Sequence, residues 1–144
     1  MRLLSFDKNG KYAIGILKQD TNTIVDLSSV DPSLPTNMNS FIDLGSEGIK
    51  RAGHIVENSD QDIEMKLSDI KLLSPIPVPR RNIFCVGRNY YEHAKEFHDS
   101  GFDATAGKSA VPDDPIIFTK ATTSMSGPFD PIPSYYDTSN STDY

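Results

Sequence analysis

Leu72-Leu73-Ser74-Pro75-Ile76-Pro77-Val78-Pro79-Arg80-Arg81-Asn82-Ile83-Phe84-Cys85-Val86-Gly87-Arg88-Asn89-Tyr90-Tyr91-Glu92-His93-Ala94-Lys95-Glu96 is the stretch on which the fold turns. Proline at 75, 77 and 79 removes every second backbone donor and fixes φ, so the segment can be neither helix nor central strand. It reads as a stiff, extended connector over residues 74–81 and marks a domain boundary. Beyond it, the apolar run from Asn82 to Val86 predicts a buried strand that Gly87 ends. Tyr90 to Phe97 predicts a short helix.

Upstream, residues 1–73 read as a small β-rich domain. Leu3 to Phe6, Tyr12 to Leu17 and Thr23 to Leu27 are apolar runs of strand length. Asn9-Gly10 between the first two is a hairpin signal, because both residues tolerate positive φ. Asp31-Pro32 and Leu34-Pro35 put residues 31–39 in loop. Residues 40–57 predict one or two short helices, the first capped by Ser40. The second starts near Ser46, with Ile49, Ala52, Gly53 and Val56 on one face. Ile63, Met65 and Leu67 alternate as in a strand, and Ile70, Leu72 and Leu73 continue extended.

Downstream, residues 98–114 form a polar loop, Ile116 to Lys120 a second strand, and the rest is rich in Pro, Ser, Thr and Asp. That tail is why hydrophobic residues make up only 37% of the 144-residue chain and why mean hydropathy is −0.41. The fold class read from this pattern is α+β, mostly β: a small β-rich N-terminal domain over 1–73, the 74–81 connector, and a second, incomplete domain over 82–144.

The net charge of −6 argues against sequence-independent nucleic-acid binding, which runs on clustered Lys and Arg. No apolar run approaches the ~18 residues of a membrane span. The opening MRLLSFDKNGKY turns polar too soon for a signal peptide. The single cysteine, Cys85, allows no internal disulfide, which fits a reducing cytoplasm. Sitting in the run from Ile83 to Val86, it reads as a small buried hydrophobe.

Few constellations can carry chemistry. His93 and Glu96 are three apart and would share a helix face. A carboxylate beside an imidazole fixes its tautomer and raises its basicity, as a general base needs. The bland alternative is a solvated surface pair. His93 and His98 are five apart, not the four that place two zinc ligands on one helix face. Gly101 to Ser109 has one residue too many before Gly107-Lys108-Ser109 for a phosphate loop. Asp113, Asp114, Asp130, Asp137 and Asp143 are scattered through loop rather than clustered as cation ligands. His54 falls on a helix surface of the first domain.

The quoted stretch resembles the opening of the fumarylacetoacetate hydrolase fold, a mixed β-sandwich roll. So do Pro115-Ile116-Ile117-Phe118-Thr119-Lys120-Ala121 and Gly127-Pro128, in the same order. The N-terminal strands resemble the small domain carried by bacterial members. The resemblance implies an enzyme that cleaves C–C bonds in β-diketo acids, or decarboxylates or isomerises 2-keto acids, in aromatic compound catabolism. It implies Mg²⁺ or Mn²⁺ holding the substrate oxygens, His93 and Glu96 as the catalytic pair, and Arg88, Asn89, Tyr90 and Lys120 against the substrate. Residues 98–114 match a lid, and the complete enzyme would be a cytoplasmic homodimer acting on a small keto acid, without nucleic acid or membrane. The family's metal ligands, a Glu-x-Glu pair after an Asp-Tyr and an Asp further on, would come after Asp143-Tyr144. This chain is therefore expected to be an N-terminal part that holds no metal and is inactive alone. The competing expectation is a non-catalytic β-rich interaction module, residues 1–73, with a flexible tail. Order beyond Pro79 separates the two.

Overall fold

Asn9 and Gly10 both take positive φ, 55° and 79°, which is the left-handed pair that a two-residue hairpin turn requires. The turn sets the register Lys8↔Lys11 and joins β1 (Arg2–Lys8) to β2 (Lys11–Lys18). Asn22, φ 55°, sits in the next turn, leading to β3 (Thr23–Asp26). The protein is described by a computed structural model covering residues 1–101, 111, 114–136 and 138–139. Its chain divides into two compact units, Met1–Val78 with Met125–Tyr144, and Pro79–Ser124. The sequence reading divides the chain differently, as 1–73, the 74–81 connector and 82–144.

The first unit is a five-stranded antiparallel sheet of order β4-β3-β2-β1-β5, with β4 (Glu64–Lys66) and β5 (Lys71–Leu72) at its edges. Alternation along β2 sends Ile14 and Ile16 to one face, where they meet Val25 and Leu27. That face is covered by Leu34, by Met38 and Phe41 of α2 (Met38–Asp43), and by Ala52 and Ile55 of α3 (Ser46–Asn58). The opposite face is also apolar: Phe6, Ala13 and Ile24 are buried beneath Leu4, Leu17, Met65, Leu67 and Ile70. Gly15 lies on this second face, and a Cβ there would come within 3.2 Å of Leu4 and 3.4 Å of Ile24 and Phe6. The missing side chain lets the sheet curl until those three close over the gap. Each fully buried Ile, Leu or Phe stabilises the unit by about 1.5–3 kcal/mol.

Side chains fix the ends. Asp26 caps the one-turn α1 (Leu27–Val30), accepting from the amides of Ser28 and Ser29. Asn37 caps α2 by accepting from the Ser40 amide at 2.9 Å. The connector's first half lies along this unit: Leu73 N donates to Ser5 O at 2.9 Å. Ser5 Oγ donates to Pro75 O at 2.8 Å, and Asn39 Nδ2 to Val78 O at 2.8 Å.

In the second unit, β6 (Ile83–Gly87) pairs antiparallel with β7 (Ile116–Lys120), from Ile83↔Lys120 to Gly87↔Ile116. Among the described residues, the remaining α-helix is α4 (Tyr91–Asp99).

A mostly β, α+β chain beginning with a small β-rich domain is what the sequence predicted, but details differ. The cap of α2 is Asn37, not Ser40, because the helix starts earlier than expected and Ser40 supplies the amide that is capped. The buried face of α3 is Gly48, Ala52 and Ile55, leaving Ile49 46% exposed. Gly48 favours this: a Cβ there would sit 3.1 Å from Leu44 and 3.3 Å from Phe41 O, so any other residue would push these neighbours back by a few tenths of an ångström. β4 is shorter than the expected 63–67 strand, since 3₁₀ turns at Gln61–Ile63 and Leu67–Asp69 flank it. β6 is not buried on both faces, for Phe84 is 72% and Val86 53% exposed. Cys85 is half-buried rather than buried. The expected 98–114 loop begins later, as α4 runs to Asp99, and its 102–110 and 112–113 portions lie outside the described residues. Among the described residues no helix is long and apolar enough to cross a membrane.

Candidate functional site

β6 ends at Gly87, and the chain leaves it through Arg88 in the left-handed region, φ 51°. Asn89 and Tyr90 follow, both exposed, and Tyr90 starts α4, its carbonyl accepting from Ala94 N at 2.9 Å. Ala94 is fully buried, which seats the helix and leaves His93 and Glu96 on its exposed surface. Phe97 lies one turn beyond His93, on the same helix face.

Arg88, His93 and Phe97 meet Gly87, Ile116 and Phe118 around a cavity of about 500 Å³. Strand alternation places Ile116 and Phe118 on one face of β7, paired with Gly87 and Cys85 of β6. The lining is mostly hydrocarbon, with one imidazole and one guanidinium as its polar groups. The Arg88 guanidinium carbon lies 4.7 Å from the centroid of the Phe97 ring, a cation–π contact. This combination can receive a small organic anion with an apolar body and present an imidazole to it.

Not every expected residue reaches this cavity. His93 and Arg88 line it; Asn89, Tyr90 and Glu96 do not. Lys120 shares the β7 face of Ile116 and Phe118 but pairs with Ile83, at the opposite end of the ribbon from Gly87. Among the described residues, no hydrogen bond joins His93 to Glu96. Sequence reading missed Phe97, Ile116 and Phe118. Two signals were present: Phe97 is four residues from His93, and 116 and 118 alternate on a strand.

Residues 82–144 match the family model described as fumarylacetoacetate (FAA) hydrolase, C-terminal. A mitochondrial oxaloacetate tautomerase of Xenopus laevis is 37% identical over 134 residues, 92% of this chain and 38% of that protein. An oxaloacetate tautomerase of Bacillus subtilis (strain 168) is 26% identical over 156 residues, covering 100% of this chain and 49% of its own length. A fumarylacetoacetate hydrolase from psychrophilic Exiguobacterium antarcticum superposes with a TM-score of 0.54 at 29% identity, over 96% of this chain and 42% of that one.

This chain belongs to the fumarylacetoacetate hydrolase family. It spans between 38% and 49% of the length of the two tautomerases. The family's enzymes generally use a divalent metal ion. Among the described residues no group of three or more His, Cys, Asp or Glu side chains could hold one. Among the described residues, His93 is the only such side chain on the cavity wall. Asp130 is engaged elsewhere, accepting from Gly127 N at 2.9 Å and pairing with Lys71 at 3.0 Å. The described residues therefore do not by themselves form a cation site.

Proposed function

We propose that this chain supplies the proton-transfer part of a keto-acid enzyme, in which His93 is the general base and Arg88 receives a substrate carboxylate. The supporting observation is the cavity that brings an imidazole and a guanidinium together on apolar walls. A carbon between a ketone and a carboxylate is acidic because its carbanion delocalises into an enolate. A neutral imidazole can take that proton and return one to the enolate oxygen, which is keto–enol tautomerisation. The same base can instead deprotonate water for attack on the second carbonyl of a β-diketo acid, cleaving the C–C bond. Glu96, three residues on, is the carboxylate to accept from the imidazole N–H and hold its tautomer. Asn89, Tyr90 and Lys120 are proposed substrate contacts. In the complete enzyme Mg²⁺ or Mn²⁺ is the proposed cation, and the assembly a cytoplasmic homodimer.

The tautomerase descriptions of the Xenopus and Bacillus relatives favour oxaloacetate among the substrates, with acylpyruvates as the hydrolytic alternative. The pairing of β6 with β7 beyond Pro79 supports an enzyme segment over a bare module with a tail. The test is a full-length family member carrying this segment, assayed with oxaloacetate and with an acylpyruvate. His93→Ala is expected to reduce turnover by roughly 10²–10⁴-fold, the scale of a positioned acid–base group. Unchanged turnover would remove His93 as the base.

A further inference from the structure

The turn that closes the first hairpin carries a reactive pair. Among the asparagines of the sequence, Asn9 alone is followed by glycine. An asparagine side-chain amide is open to attack by the backbone nitrogen of the next residue, and a glycine there has no side chain to block the approach. Asn9 and Gly10 are both exposed, so water reaches the pair. Two features oppose the attack. Both residues hold positive φ, 55° and 79°, in a tight turn. The Gly10 nitrogen reaches Asn9 Cγ only if the chain rotates about the Asn9 Cα–C bond and leaves that turn. The second feature is Asp7, whose Oδ1 accepts from the Gly10 amide N at 2.8 Å, so the proton of the attacking nitrogen is already engaged by a carboxylate.

We propose that Asn9 is a site of spontaneous deamidation and that Asp7 is the residue that holds it in check. In the reaction the Gly10 nitrogen gives its proton to water or hydroxide and forms a bond to Asn9 Cγ. The Cγ–Nδ2 bond breaks, and the side-chain nitrogen leaves as ammonia. The product is a five-membered succinimide, which water opens at either carbonyl to give aspartate or isoaspartate. The net change is amide plus water to acid plus ammonia, with nothing oxidised or reduced. Asp7 opposes the first step directly. The succinimide nitrogen has no proton to donate, so the bond to Asp7 must be given up, and a carboxylate beside it disfavours the anionic nitrogen that attacks. The lesion has a structural consequence. The Asn9-Gly10 turn sets the register Lys8↔Lys11 between β1 and β2, which lie inside the five-stranded sheet. Isoaspartate routes the backbone through Cβ and Cγ, so a two-residue loop gains an atom and no longer closes on that register.

The 144-residue chain is incubated at neutral pH, and the acid formed at position 9 is followed by peptide mass spectrometry with fragment ions that separate aspartate from isoaspartate. Wild type is compared with Asp7→Ala, with Asp7→Asn, and with a synthetic peptide of residues 5–13, which is too short to hold the hairpin. Wild type is expected to lose Asn9 more slowly than the peptide. Asp7→Ala should speed that loss by about 10–100-fold, the scale of a hydrogen bond to a charged group. Asp7→Asn keeps an acceptor oxygen for the Gly10 amide and should stay closer to wild type. Amide exchange along β1 and β2, measured on the same samples, should not change. Wild-type loss as fast as in the peptide would overturn the restraint by Asp7, as would equal acceleration in the alanine and asparagine variants. So would an acceleration matched by faster β1 and β2 exchange, which is fraying of the hairpin rather than release of the Gly10 amide. Another asparagine converting ahead of Asn9 in Asp7→Ala would overturn the site itself.

Discussion

Asp26 is 2% exposed, yet five donors converge on it: the amides and hydroxyls of Ser28 and Ser29, and the Lys8 ammonium at 2.5 Å. Burial alone would raise its pKa, but the hydrogen bonds from Lys8, Ser28 and Ser29 outweigh that and hold it below its ordinary value of 3.8. A carboxyl whose pKa is depressed by folding stabilises the fold while it is ionised in both states. That contribution is complete above the unfolded pKa and is lost as pH falls through the folded one. Asp31, held at about 2 by Arg51 and then Ser33, acts in the same direction. So does Glu64, lowered by Lys18 and then Thr23. Stability should therefore be level near neutrality and fall below about pH 4. Asp26→Ala, which removes the acceptor shared by Lys8, Ser28 and Ser29 and uncaps α1, should cost ~2–3 kcal/mol and flatten that acid decline. Urea titrations of both proteins at pH 7 and pH 3.5 measure it; a loss under about 0.5 kcal/mol at pH 7 would show that the network contributes little. At this scale the site was only partly legible. His93 and Arg88, which line the cavity, stand in a sequence block whose spacing and resemblance mark them, while Glu96, marked with them, does not reach it. Phe97 stands four residues from His93, which puts it on the same helix face, but its ring contact with Arg88 across the strand exit is tertiary and was not legible.

The elements were legible where a single residue dictates backbone geometry. Asn9-Gly10 admits few conformations, and with it came the β1–β2 register. The faces of α3 were not legible, because apolar spacing allows either Ile49 or Ile55 inward; Ile55 is favoured by Gly48, whose missing Cβ matters only against α2. β6 misled for a related reason. A continuous apolar run marks a strand buried on both faces, but in this ribbon Phe84 and Val86 have no covering layer among the described residues. Gly127 makes the element-scale case testable. A Cβ there would stand 2.9 Å from Leu72 O and 2.9 Å from Asp130 Oδ2, closer than real contacts permit, and Leu72 belongs to edge strand β5. Gly127→Ala must push the 127–130 turn off the edge, breaking the Gly127–Asp130 hydrogen bond and straining the Lys71–Asp130 pair. The expected cost is about 1–3 kcal/mol of local opening. It is read as faster amide exchange at Leu73, whose N–H donates to Ser5 O. Unchanged exchange at Leu73 would mean that the turn does not brace β5.

Across the molecule, the two units differ in how their sheets are covered. In the first, β2 and β3 carry Ile14, Ile16, Ile24 and Val25 at 0–1% exposure, with apolar layers on both faces. In the second, the ribbon has two strands, and its outward face leaves Phe84, Val86 and Ile117 exposed at 72%, 53% and 63%. Sequence showed the main strands of both sheets but not this contrast, since apolar runs look alike whether or not a partner layer exists. Two strands alone are marginal in water, because their hydrogen bonds gain little without a buried face. Opening in the first unit must expose its core, whereas opening β6 from β7 exposes little that is not already in water. In the 144-residue chain, amides of β6 and β7 should therefore exchange at least ~10³-fold faster than those of β2 at neutral pH, a gap of about 4 kcal/mol in opening free energy. Hydrogen exchange followed by NMR gives both sets in one sample. In a full-length relative, where the rest of the fold is present, the same ribbon should approach the protection of β2. Equal protection in the 144-residue chain would show that the second unit is stable unaided, and the exposed face of Phe84, Val86 and Ile117 would then need no covering layer. Fast exchange in both proteins would instead place the ribbon outside the stable core of the family fold.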